Sequence, residues 1–479
     1  MSLKDQATSS IKWSTISQVG RQVIQLFTTA ILARLLSPND FGSLGMATIV
    51  VGFVGVFKDL GTSAAVIQRK GFSEALLHSL FWVNVAFGLL STMLFFLIAP
   101  LIAGFYREPI IAPLLRVLSL TFFISGISIL QQALLEKELA FNTLAKIEVS
   151  SVAFGSFIGI GSAMGGLGVW SLIYQTIAVT TLTTFLLWKT TNWQPKLIFS
   201  FQELKAISSY SSNLTGFNVF NYLIRNFDYL LIGKFIGAEA LGFYTLAYRT
   251  ILYPLQSISG VISRVGFPVF SQLQDDNVRL RSAYLRVVAM IAIVTFPLML
   301  GIWVLAEPFI LIVLGEKWKA SIPIILVLAP VGLVQSVVTT VGTIYQSKGR
   351  TDWMFCWSLF AGVLVICGFV LGLRWNIIGV AAGYAIASLI LVYPSFAIPF
   401  RLINLSMARF AAVLWRPLMC SAIMSCLILG IQAVLPMSFS PALNLGISIL
   451  LGGATYVVVS QWINHDQMRQ LFNLLGLIE

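Results

Sequence analysis

Arg21, Lys58, Arg225 and Arg249 lie inside long, predominantly apolar stretches, as do the carboxylates of Asp59, Glu148 and Asp228. An ionised group among apolar side chains must pair, hydrogen-bond or face water, because moving charge into a low-dielectric medium is costly. Two kinds of chemistry suit such groups. Arginine, with its donors in a planar fork, grips anions in bidentate fashion, and an isolated carboxylate takes up and releases protons or cations. The competing explanation is charge pairing and helix packing. Arg225 and Asp228, three residues apart, have the spacing for a neutralised pair. Asp59 beside Lys58 fits an interfacial gate or a structural pair, and Glu148 has no partner that spacing reveals.

The polar neighbours of these charges point the same way. Ser14, Thr15, Ser17, Gln18, Gln22 and Gln25 surround Arg21, while Ser211, Ser212, Asn213, Asn218, Asn221 and Asn226 precede or flank Arg225. A lipid-facing helix does not tolerate such polarity, whereas the wall of a hydrated cavity does. Interhelical hydrogen bonds account for part of it.

These residues must be positioned by membrane helices. Of 479 residues, 58% are hydrophobic and 10% charged, and the mean hydropathy is +0.90. A soluble chain carries about 25% charged residues. Apolar runs of roughly 20 residues recur along the chain, each long enough to cross the hydrocarbon. The expectation is an all-α integral membrane protein of about fourteen transmembrane helices, from 10–36 to 440–463. Residues 1–189 form a six-helix bundle, 190–206 a cytoplasmic linker with an interfacial amphipathic second part, and 207–405 a second six-helix bundle. Residues 406–479 add two transmembrane helices and a short tail. Lys and Arg concentrate in alternate connections, such as Arg69, Lys70, Lys137, Lys189 and Lys196, against few on the other side, such as Arg107, Arg116 and Arg374. The positive-inside rule then places both termini in the cytoplasm, with the first span retained rather than cleaved as a signal.

Several function classes are excluded. The net charge of +12 is spread between apolar spans instead of gathered on one face, which argues against nucleic-acid binding. Cys356, Cys367, Cys420 and Cys426 form no C-x-x-C pair, and His78 and His465 lack metal-ligand spacing, so neither metal nor disulfide is expected. No Walker A sequence is present, so no nucleotide cofactor is expected.

The halves are related. Residues 35–47, LLSPNDFGSLGMA, and 235–247, FIGAEALGFYTLA, share a turn, Gly42 or Gly242, and Ala47 or Ala247 at a constant offset of 200. A weaker echo joins Gly168-Val169 to Gly379-Val380. A repeat of six spans gives same-facing halves related by a pseudo-twofold axis along the membrane normal, an arrangement suited to alternating access. The offset maps Arg21 onto Asn221, one turn before Arg225.

The chain resembles the polysaccharide-exporter branch of the multidrug/oligosaccharidyl-lipid/polysaccharide flippase superfamily. The resemblance rests on Asp59-Leu60-Gly61, Glu108-Pro109, Leu114-Leu115-Arg116-Val117-Leu118-Ser119, Arg225-Asn226-Phe227-Asp228, Leu241-Gly242-Phe243-Tyr244, Ala247-Tyr248-Arg249, Gly266-Phe267-Pro268 and Glu307-Pro308-Phe309. It implies two bundles around a central cavity and, as substrate, polyprenyl-diphosphate-linked oligosaccharide moved between leaflets of a bacterial inner membrane. Arg21, Gln25, Asn221, Arg225 and Arg249 are then expected to line a cationic cavity for the diphosphate. Asp228, Asp59 and Glu148 are the candidates for coupling to a proton or sodium ion. The expected partners are that substrate, membrane lipid and other polysaccharide-assembly proteins. The alternatives are a cation-coupled drug exporter of the same superfamily and a membrane glycosyltransferase or polymerase, against which the short outer connections argue.

Overall fold

The computed structural model describes residues 3–57, 73–201, 219–252, 270, 272–434, 440–465 and 467–468. Every regular element among them is helical, and they fall into two compact units, Met1–Thr245 and Leu246–Glu479. Among the described residues eight helical runs are long and apolar enough to cross a membrane, or nine when a bent pair counts as one span. The protein is therefore a multi-pass membrane protein. Other expected spans are helical but more polar or shorter, or they run into residues outside the described set.

The first unit opens with α1 (Leu3–Leu35) and α2 (Pro38–Gly55). Between them Ser37 and Asp40 close a capping box, with the Ser37 N–H donating to Asp40 Oδ2 at 2.8 Å. Pro38 sits in the first turn, where its missing N–H costs nothing. Next come α3 (Glu74–Tyr106), capped by Ser73, then α4 (Ile111–Gly126) and α5 (Ile129–Lys137). These last two form one apolar run bent by 44°. The break frees carbonyls, and α7 supplies their donors: Thr184 Oγ1 to the Ile124 oxygen at 3.1 Å, Trp188 Nε1 to the Ile127 oxygen at 2.9 Å. Such borrowed hydrogen bonds are what allow a broken helix inside a membrane.

Helices α6 (Phe141–Met164) and α7 (Trp170–Thr190) pack closely through small residues, as the Gly155 and Gly159 spacing predicts. A Cβ on Gly155 would lie 2.2 Å from Val179 Cγ2. After the connection at 191–201 come α8 (219–225), α9 (Phe227–Phe235) and α10 (238–252), the first unit ending within α10 at Thr245. Gly237, at φ 121°, makes the tight turn between α9 and α10, a conformation L side chains rarely adopt.

The second unit continues with α11 (Asn277–Val304), α12 (Ile322–Val338), α13 (Val341–Ser347), α14 (Thr351–Gly372), α15 (Asn376–Ile403), α16 (Met407–Val434) and α17 (Pro441–Ile463). The 53-residue apolar run from Thr351 folds back on itself at Leu373–Trp375, so α14 and α15 form a hairpin. Gly372 faces Gly379 and Gly368 faces Gly383, the close backbone approach that Gly alone permits. Its core gathers Tyr284, Phe296, Phe396, Phe400 and Phe410. Tyr284 bonds Thr340 at 3.0 Å, at the interruption between α12 and α13. The Tyr456 hydroxyl donates to the Ile293 carbonyl at 2.7 Å and fastens α17 to α11.

Candidate functional site

Arg21 is held by a helical turn of its own and by α6. Ser17, Gln18 and Arg21 lie within one turn of α1, on the face that meets α6, where Gly20 leaves space for Val149. Arg21 Nη1 lies 3.4 Å from Glu148 Oε2, and Nη2 donates to Gln18 Oε1 at 2.8 Å. Ser17, buried, donates to the same carboxylate oxygen at 2.6 Å. Glu148, which spacing left without a partner, is thus the counter-ion of Arg21. Both side chains are about a third exposed, at 32% and 30%. The guanidinium is not saturated, since its Nε is buried with no hydrogen-bond partner.

Asp228 behaves differently from the expectation. Its side chain is buried, only 2% exposed. The Tyr244 hydroxyl donates to Oδ2 at 2.8 Å and the Tyr229 N–H to Oδ1 at 2.9 Å. Tyr229 and Tyr244 stack edge to face at 5.6 Å. Arg225 is exposed on α8 and takes no part. The pairing predicted from three-residue spacing fails because the helix is interrupted at Asn226, whose Nδ2 donates to the Tyr222 carbonyl at 2.8 Å. Arg225 and Asp228 therefore sit on different helices, α8 and α9.

Among the remaining expected residues, Gln25 is half-buried one turn beyond Arg21, Asn221 is exposed one turn before Arg225, and Arg249 is half-buried on α10. Asp59 and Lys58 lie outside the described residues. In the second unit a small, mostly apolar hollow lies beside Tyr248 and Ile251, where Gln335 donates to the Tyr384 hydroxyl.

Three residues escaped the sequence reading. Tyr244 carried a readable signal: Asp228 and Tyr244 are equidistant from Ile236 in the turn, so a helical hairpin brings them level. Tyr222, whose hydroxyl donates to the Ile49 carbonyl at 2.8 Å against Gly52, had none. Arg116, expected in an outer connection, is instead in the second turn of α4 with its Nε buried and unbonded.

The two repeated segments meet. A Cβ on Gly42 would fall 1.6 Å from the Ala238 carbonyl oxygen, and one on Gly242 would fall 1.9 Å from that of Pro38. Pro38 and Ala238, like Gly42 and Gly242, differ by the repeat offset, so the contact is reciprocal, as a local twofold requires.

Residues 31–323 match a family described as polysaccharide biosynthesis protein. The chain is 32% identical to the teichuronic acid biosynthesis protein TuaB of Bacillus subtilis over 464 residues, 95% of each chain. It is 31% identical to the lipopolysaccharide biosynthesis protein WzxC of Escherichia coli, covering 87% of this chain and 86% of that one. Among solved structures, the lipid II flippase MurJ in an inward closed conformation superposes with a TM-score of 0.75 at 15% identity, covering 96% of this chain and 100% of that one. That likeness concerns the fold.

Proposed function

The chain belongs to the family of polysaccharide biosynthesis proteins, and from that premise we propose that it is a flippase for polyprenyl-diphosphate-linked oligosaccharide. It carries repeat units of O-antigen, capsule or exopolysaccharide from the cytoplasmic to the outer leaflet of a bacterial inner membrane. Of fourteen spans, with both termini cytoplasmic, twelve form two six-helix bundles that alternate access to a central cavity, and the last two stand outside the repeat.

The observation that carries this reading is the Arg21–Glu148 pair, held between α1 and the apolar helix α6 with both side chains about a third exposed. A charge there is costly unless it serves a ligand or a partner, and a guanidinium fork matches a diphosphate. Two anions compete for one arginine. With Glu148 ionised, it and Ser17 occupy Arg21 and the substrate is released. With a proton or sodium ion on Glu148, Arg21 is free for the diphosphate. Binding of cation and substrate are then linked with equal strength in both directions. Gln25, Asn221, Arg225 and Arg249 extend the polar wall, and Asp228 with Tyr244 is a second, buried acidic group available for coupling.

Deletion of the gene tests the assignment. The lipid-linked glycan accumulates in the cytoplasmic leaflet and a surface polysaccharide disappears. Unchanged glycan with altered drug tolerance assigns the protein to drug export instead. Glycosidic bond formation by purified protein in liposomes assigns it to the polymerases.

A further inference from the structure

The connection that leaves α7 at Thr190 is strapped to the first turns of α3. The Lys196 N–H donates to His78 Nδ1 at 3.1 Å, Trp82 Nε1 donates to the Lys196 carbonyl at 2.9 Å, and the Ser200 N–H donates to Ser79 Oγ at 2.8 Å. Trp193 stacks on the His78 ring at 5.2 Å, and Lys196 Nζ lies 3.7 Å from Glu74. Glu74, His78 and Trp82 recur every fourth residue, so they form one stripe along α3 that receives the strap. His78 accepts at Nδ1, which fixes its tautomer with the proton on Nε2.

This docking pins the backbone but leaves apolar side chains uncovered. The Ile198 N–H donates to the Lys196 carbonyl at 2.8 Å, a tight turn over Leu197, and Leu197, Phe199 and Phe201 stand 90%, 60% and 73% exposed, with Ile198 between them at 39%. Three large apolar side chains are thereby displayed on a connection whose backbone is pinned. They sit where α3 begins and α7 ends, hence at the boundary between hydrocarbon and headgroups. Trp82, Trp188 and Trp193 cluster around Phe81 at the same level, the aromatic belt characteristic of that boundary. Lys189 stands exposed just before the strap begins, and Lys196 within it, beside Glu74.

We propose that residues 196–201 are a lipid-docking edge: Leu197, Phe199 and Phe201 enter the headgroup–acyl boundary of the adjoining leaflet, Lys189 and Lys196 hold anionic headgroups, and His78 is the residue that fixes this presentation. The partner is a lipid surface, because apolar side chains flanked by lysine and indole match a bilayer interface in both polarity and charge. The inference is independent of the transported substrate.

Photocrosslinking tests it. The full chain with Phe199→p-benzoylphenylalanine is placed in nanodiscs of phosphatidylethanolamine and phosphatidylglycerol, irradiated and analysed by mass spectrometry. The same probe at Leu97, 76% exposed on α3, reports insertion and folding. The expected result is lipid adducts at position 199 with a yield within about threefold of that at 97, phosphatidylglycerol being over-represented. His78→Ala lowers the yield at 199 by about threefold or more and leaves that at 97 unchanged, whereas His78→Asn, which keeps an acceptor near the Nδ1 position, preserves it. Background yield at 199 with normal yield at 97, or a crosslinked dimer as the main product, overturns the lipid assignment. Yield at 199 that is indifferent to His78→Ala overturns the role of His78.

Discussion

Gly42 and Gly242 face each other's backbone across the crossing of α2 and α10, and each meets the carbonyl four residues before the other, at Ala238 and Pro38. The relation is its own mirror under the 200-residue offset. A sequence repeat has thus become an isologous contact, and no side chain larger than hydrogen fits on either face of it.

The first prediction concerns that crossing. Gly42→Ala and Gly242→Ala each force backbone apart, because the added carbon would sit 1.6 or 1.9 Å from a carbonyl oxygen. Each should cost about 1–3 kcal/mol or more, read as a lower midpoint in thermal unfolding of the detergent-solubilised protein. Gly104→Ala, where a Cβ meets nothing within 4 Å, is the control and should leave the midpoint in place.

The second concerns the buried carboxylate. Tyr244→Phe removes the hydroxyl that satisfies Asp228 Oδ2 and should destabilise by about 1–3 kcal/mol. In Asp228→Asn the amide oxygen can still accept from the Tyr229 N–H while its NH2 donates to the Tyr244 hydroxyl oxygen, so the loss should be smaller. Equal stability of Tyr244→Phe and the parent would mean that the hydrogen bond contributes nothing.

Much of this architecture was readable in the sequence, for identifiable reasons. The turn shared by residues 35–47 and 235–247 marks real helix starts, Ser37-Pro38 before α2 being a cap. The spacing of Gly155 and Gly159 is that of a tight crossing, and α6 and α7 meet there. Side-chain partners were less legible, because three- and four-residue spacing predicts neighbours only along an unbroken helix. The interruption at Asn226 separated Arg225 from Asp228, and the ion pair of Arg21 came from Glu148, 127 residues away on another helix. The strap at 191–201 was expected as a linker. Its docking depends on His78, Ser79 and Trp82, which no local pattern connects to it.

A third prediction has a pH sign. Asp276 caps α11 by accepting from the Arg279 and Val278 N–H groups at 3.0 Å each, outside the apolar span. These bonds, led by that of Arg279, hold its carboxyl below the usual range. A carboxyl lowered on folding contributes stability above its unfolded value and loses it as pH falls through the lowered one. Amide exchange at Val278 and Arg279, corrected for intrinsic rate, should therefore rise on acidification in the parent. In Asp276→Asn it should stay level, since an amide caps without titrating.

A fourth prediction follows from competition for Arg21. Glu148→Gln removes the rival anion but keeps the side chain's shape and its bond from Ser17. Diphosphate-linked lipid should bind this variant about tenfold more tightly, equivalent to about 1.4 kcal/mol, and its affinity should lose dependence on pH and sodium. Native mass spectrometry of the protein with a short-chain lipid diphosphate gives both readouts. Unchanged affinity would separate Glu148 from substrate binding.

The most direct test is the movement of lipid-linked oligosaccharide in proteoliposomes, scored by its accessibility to a membrane-impermeant glycan-binding probe. Arg21→Gln, reconstituted at the same density as the parent, should flip at least about tenfold more slowly, and Arg21→Lys should recover only part of the rate because it lacks the fork. Parental rates in Arg21→Gln would contradict the claim that this guanidinium receives the diphosphate.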